Sequence, residues 1–120
     1  MTARAALTTI DIILEEGLVE RAAELGRHML GRMQDLMARS PHVGDVRGRG
    51  LMVGVELVED RATRQPARDL AERVFYACLE RGLSFKVSHG NVLTLSPPLV
   101  ISKADLGRAL DIVEGAVLAA

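Results

Sequence analysis

At 120 residues, 48% of them hydrophobic, the chain is long enough to form one domain over residues 1–120 and apolar enough to bury a core without staples. Fifteen basic residues stand interspersed among sixteen acidic ones, which excludes the one-signed electrostatic footprint of a nucleic-acid binder. Cys78, the single cysteine, excludes an internal disulfide and a cysteine-rich metal site, and no stretch is apolar over the length a membrane span needs.

Residues 1–14 carry one arginine and an apolar run interrupted by Thr8, Thr9 and Asp11, without the cleavage site of a signal peptide, so a cytoplasmic protein is expected. Residues 3–15 have helical composition. Leu7, Ile10, Ile13 and Leu14 spread apolar surface over more than one stripe, and a helix of that kind expects neighbours on several sides. Gly17 marks a break. Beyond it Leu18, Ala22, Leu25, Met29, Met33 and Leu36 recur at spacings of four and three among charged residues, an amphipathic helix of about five turns. It ends near Arg39, because Ser40 precedes Pro41 and a residue before proline leaves the helical region. Met29, Met33 and Met37 read as core at helical spacing.

Residues 51–57 form a short β-rich run punctuated by Gly48, Gly50 and Gly54, read as a buried or half-buried strand. A charged loop over 59–66 follows. Leu70, Val74, Ala77 and Cys78 make a second helical stripe, ended by Gly82. Two short strands are predicted at 83–87 and 92–95, joined by the turn formers of Ser88-His89-Gly90-Asn91. The last helix starts at Ser102, with Asp105 three residues on completing an approximate capping box, and its stripe is Leu106, Leu110, Val113 and Val117. The order helix, helix, strand, helix, strand, strand, helix gives an α+β fold: a small, mostly antiparallel sheet of about three strands with helices packed on one face.

The glycine cluster at 48–54 superficially resembles a phosphate-cradling loop, but such loops follow a strand into a helix, and these glycines lead into a strand. A steric role is expected instead, with Arg47 and Arg49 pairing with carboxylates nearby. His28, His42 and His89 have no second ligand at metal spacing, and no Gly-x-Ser-x-Gly elbow supports hydrolysis. No metal ligand and no catalytic residue is assigned, and Cys78 reads as a small buried hydrophobe.

Val43-Gly44-Asp45-Val46-Arg47-Gly48-Arg49-Gly50-Leu51-Met52-Val53-Gly54-Val55-Glu56-Leu57 and Asn91-Val92-Leu93-Thr94-Leu95-Ser96-Pro97-Pro98-Leu99 together resemble adjoining signatures in the carboxy-terminal domain of class III aminotransferases, pyridoxal-phosphate enzymes. The stretch Asp60-Arg61-Ala62-Thr63-Arg64-Gln65-Pro66-Ala67 looks like the insertion that follows the first of these signatures, and its part from Arg61 to Ala67, with Gly82-Leu83-Ser84, is similar to the dialkylglycine decarboxylase side of the family. The resemblance implies the small domain of that fold, in a fragment whose large cofactor-binding domain, with its anchoring lysine, lies outside the chain. Pyridoxal phosphate is thus implied with no cofactor-binding residue here, and the chain alone is expected to be inactive. The implied reaction transfers an amino group from an amine or amino acid to a keto acid, in a homo-oligomer. A lyase or decarboxylase of the same fold, for example an aminophosphonate ammonia-lyase, and a non-catalytic binding module derived from the domain are the alternatives.

Members acting on alpha-carboxylates commonly have an arginine where this chain has Thr94, and that arginine grips the carboxylate bidentately. A threonine hydroxyl does not replace a charged fork. The resemblance therefore implies Thr94 as a substrate-binding position, with Lys86 and Ser88 as substitutes for the missing charge, and a substrate presenting an amine chain, an alcohol or a phosphonate there.

Overall fold

A computed structural model describes residues 2–120. In chain order the elements are α1 (Thr2–Glu15), α2 (Leu18–Arg39), β1 (Val43–Arg49), β2 (Met52–Leu57), α3 (Arg68–Glu80), β3 (Lys86–Ser88), β4 (Val92–Leu95) and α4 (Lys103–Ala119). The strands make one fully antiparallel sheet in the order β1-β2-β4-β3. Helices α2 and α3 pack on one face of it, and α4 packs on both of them. The expected α+β architecture stands.

Four strands are present where three were expected. The missed one, β1, contains Gly44, Asp45 and Gly48, all poor strand formers, and only Val43 of it is buried. Its extended form follows from pairing with β2, which no local propensity announces. At the other edge, residues 83–85 of the expected 83–87 strand lie outside the sheet, and Ser88, expected in the turn, is the last residue of β3. The cause is the end of α3. Gly82 sits at φ 86° and donates to the Leu79 carbonyl at 2.9 Å, while Leu83 donates to the Cys78 carbonyl at 2.9 Å, a Schellman closure. A Leu83 amide held by the helix is not free for the ladder.

The core follows the predicted stripes. Met29, Met33 and Leu36 of α2, Val53, Val55 and Leu57 of β2, Leu93 of β4 and Leu106, Leu110 and Val113 of α4 are all buried, and Met37 packs at the margin. Cys78 is enclosed with them, and burial pushes its thiol above the ordinary range, consistent with a packing residue. A bidentate fork ties α2 to α4: Arg32 donates to both carboxylate oxygens of Glu114, at 3.0 and 2.7 Å. Ser102 caps α4 by accepting from the Asp105 amide at 3.0 Å. By contrast α1 buries no residue; Leu7 and Leu14 are 63% and 71% exposed, and the helix draws the molecule out to 48 × 27 × 27 Å.

The tightest contact is between helix and hairpin. The two-residue loop Gly50-Leu51 joins β1 to β2 with Gly50 at φ 56°, the glycine-first order of a type II′ turn. It lies so close to α2 that a Cβ on Gly26 would stand 2.2 Å from the Gly50 carbonyl oxygen. Gly31, on the same helix, would meet nothing within 4 Å. We therefore expect Gly26→Ala to cost about 1–3 kcal/mol of stability through overpacking, while Gly31→Ala is stabilising by up to about 1 kcal/mol through helix propensity. Urea unfolding of the two variants checks this, and equal shifts in the same direction would refute the contact.

Candidate functional site

Alternation along the strands sorts the sheet into two faces. On β2 and β4, Val53, Val55, Leu57, Leu93 and Leu95 point into the helical layer and are buried. Their neighbours Gly54, Glu56 and Thr94 lie on the opposite face. The register then lines up one residue from each strand: Arg47 pairs with Gly54, Gly54 with Thr94, and Thr94 with Lys86. The next row runs from Glu56 through Val92 to Ser88.

Two interactions fix side chains on this face. Ser88 Oγ and Thr94 Oγ1 are 2.8 Å apart, and whichever hydroxyl donates to the other, one O–H remains free to donate outward. Arg47 bridges Asp45 at 2.9 Å and Glu56 at 3.1 Å, which offsets one of the two negative charges at the β1 end. The expectation for Arg47 is met. Arg49, expected to pair likewise, makes no ion pair among the described residues, because the hairpin turn holds it at the end of the sheet beyond the reach of Asp45 and Glu56. Lys86 also has no ion-pair partner among the described residues.

The fold thus brings together all three residues singled out from sequence: Lys86 lies directly across from Thr94, and Ser88 reaches it on the diagonal. What sequence reasoning missed is their frame. Gly54 and Arg47 complete the row, and only the strand register reveals it. A cleft of about 230 Å³ opens beside the end of β4, lined by Thr94, Ser96 and Pro97 on one side and by Phe85, Leu106 and Leu110 on the other. Its rim loop is strapped down by Arg21, which donates to the carbonyls of Leu99, at 2.7 Å, and Ile101. Residues nearly eighty positions apart meet here, so no local signal pointed to the strap.

A lysine that holds a carbonyl cofactor works from a desolvated site, whereas Lys86 and Lys103 are both exposed. No group of three or more His, Cys, Asp or Glu side chains is placed to hold a metal ion among the described residues. His42 is engaged structurally, its Nδ1 donating to the Val58 carbonyl at 3.2 Å. No described helix is long and apolar enough to cross a membrane.

Comparison with known proteins places this geometry in context. The chain matches the family model described as aminotransferase class-III over residues 1–117. It is 46% identical over 113 residues to the (R)-1-hydroxy-2-aminoethylphosphonate ammonia-lyase of Vibrio splendidus, covering 94% of this chain and 24% of that protein. It is 42% identical over 117 residues to a leucine/methionine racemase of Thermococcus litoralis, covering 98% and 26% respectively. Among solved structures, an aminotransferase of Bacillus anthracis superposes with a TM-score of 0.88 at 38% identity, over 96% of this chain and 27% of that one. The chain spans about a quarter of the length of these relatives.

The hydroxyl pair is open to direct measurement. Ser88→Ala and Thr94→Val should each cost about 0.5–1.5 kcal/mol of stability, and the double variant should cost less than their sum, because both remove the same hydrogen bond. Strict additivity in denaturant unfolding would show that the pair is not formed.

Proposed function

The chain belongs to the class III aminotransferase family, and on that premise we propose that it is the small, substrate-orienting domain of a pyridoxal-phosphate-dependent enzyme that moves an amino group from an amine or amino acid to a keto acid. The observation that carries this reading is the family match across residues 1–117. The geometry supports it: the fold turns Thr94, Ser88 and Lys86 onto one solvent-facing side of a rigid sheet, as a substrate-positioning surface requires. Residues outside the chain hold the cofactor, which supplies an electron sink for carbanion chemistry when bound. This domain's part is to orient the substrate and to shield one side of the cleft. The complete enzyme works as a cytoplasmic homo-oligomer.

A second reading, ammonia elimination, is favoured by the 46% identity to an ammonia-lyase. The two separate by product analysis of the longer enzyme carrying this segment. Transamination yields product only when a keto acid is supplied, and ammonia released without an acceptor would transfer the assignment to the lyase. For the 120-residue chain alone, incubation with pyridoxal phosphate and exhaustive dialysis should leave no stoichiometric chromophore. Retained cofactor together with turnover would overturn the domain assignment.

Thr94 tests the link from residue to substrate. A hydrogen bond to an ionised group is worth about 1.5–3 kcal/mol against about 1 for a neutral pair. In the longer enzyme Thr94→Arg should therefore raise kcat/KM for alpha-carboxylate donors, relative to amine or phosphonate donors, by about tenfold or more. The ratio is the readout, because a misplaced arginine lowers every activity. An unchanged ratio in a folded, cofactor-loaded variant would remove Thr94 from the substrate surface.

A further inference from the structure

Helix α1 presents an apolar surface that the other described residues leave uncovered. It buries no residue of its own. Ala3, Leu7, Ile10 and Leu14 recur at spacings of four, three and four, which is the seam spacing of a coiled coil. All four are exposed, the last three by more than half. The exposed apolar surface continues past the helix end. Val19 stands in the first turn of α2, and Arg21, two residues on, holds the loop of exposed Leu99 and Val100 through the Leu99 and Ile101 carbonyls.

The charges of α1 are set against its own dipole: Arg4 lies near the amino end with no acid in the first turn, and Glu15 closes the helix with no base in the last. An isolated helix favours the reverse. Arg4, Asp11 and Glu15 follow one flank of the seam. Arg4 and Asp11 are two turns apart, and neither has an ion-pair partner among the described residues. A second α1 running the opposite way resolves both features. With Leu7 level with Ile10 of the second copy, and Ala3 with its Leu14, the charged flank meets itself and Arg4 falls between the second copy's Asp11 and Glu15. Each dipole end then meets the charge it favours. In a parallel pair the charged flank would face Ala6 and Ile13, with no ion pair, and both bodies, each 27 Å across, would crowd the same end of helices about 8–10 Å apart.

We infer that α1 is a docking surface for a second copy of this chain, the two helices joining as an antiparallel seam about a two-fold axis. Such a contact is closed, so it makes dimers and no larger species. A fourteen-residue seam lies below the roughly 1,200 Å² of a standard interface, so association is weak, with Kd on the order of 100 μM. The seam does not rest on the proposed function.

Sedimentation equilibrium of the 120-residue chain, from about 10 μM to about 1 mM, should fit monomer–dimer exchange. Substitutions on α1 spare the fold, because it buries nothing, and an unchanged urea midpoint in dilute solution checks this. Leu7→Glu should weaken association about tenfold or more, and Arg4→Glu about fivefold at low salt. Adding Asp11→Arg to Arg4→Glu should recover most of that loss, because the reversed pair attracts again. Ala3→Cys mixed with Leu14→Cys should form an interchain disulfide that neither variant forms alone, since Cys78 is buried. A compact monomer throughout would give the face to residues outside this chain. That result, larger aggregates in place of a dimer, a double charge variant no better than Arg4→Glu, or cross-linking of Ala3→Cys with itself would overturn the seam and leave the family assignment untouched.

Discussion

The contact between Gly26 and Gly50 is the constraint on which the remaining geometry rests. At this point a helix backbone and a turn backbone approach too closely for a Cβ on Gly26, and the approach helps to set the height and angle of the β1–β2 hairpin on α2. Because β2 is hydrogen-bonded to β4, and β4 to β3, fixing the hairpin fixes the whole sheet. Packed interiors transmit such constraints because they have little room to yield. Ladder hydrogen bonds link this contact to the hydroxyl pair, together with the packing of α2 and α3 on the same sheet.

The two faces of the sheet divide the work. Buried valines and leucines facing the helices supply the burial that holds the domain together, and the opposite face is left to polar side chains whose spacing is set by strand register. The likeness of this segment to a lyase, a racemase and an aminotransferase fits that division, since the same framework occurs in proteins of three reaction types.

Much was legible in the chain because the signals were local. The stripe from Leu18 to Leu36, the Ser102 cap, the Gly82 terminus and the enclosure of Cys78 each depend on periodicity or on chemistry within one turn, and each is found as expected. The errors are equally physical. Strand β1 has the composition of a loop and is extended only because β2 offers it a partner. Residues 83–85 have the composition of a strand, but Leu83 is held to the end of α3. Arg49 is charged like Arg47 but stands where no carboxylate reaches it. Only for β1 did a pairing partner outside the local window override the propensity; residues 83–85 yielded to the helix end beside them, and Arg49 to its place at the turn.

Taken by itself, the sequence determined the α+β class, the helix termini, the apolar stripes and the family, since period and motif order are properties of the chain as written. It also marked Lys86, Ser88 and Thr94 one by one. Only the tertiary structure decided that they form a single cluster, that Gly54 and Arg47 share their row, and that Arg21 straps the rim of the adjoining cleft. The reason is that side-chain direction in a sheet reverses with every residue, so one step of register would send Thr94 into the core and Leu93 or Leu95 into water. Register is fixed by packing between distant segments, and the burial of Leu93 and Leu95 against the helices settles it.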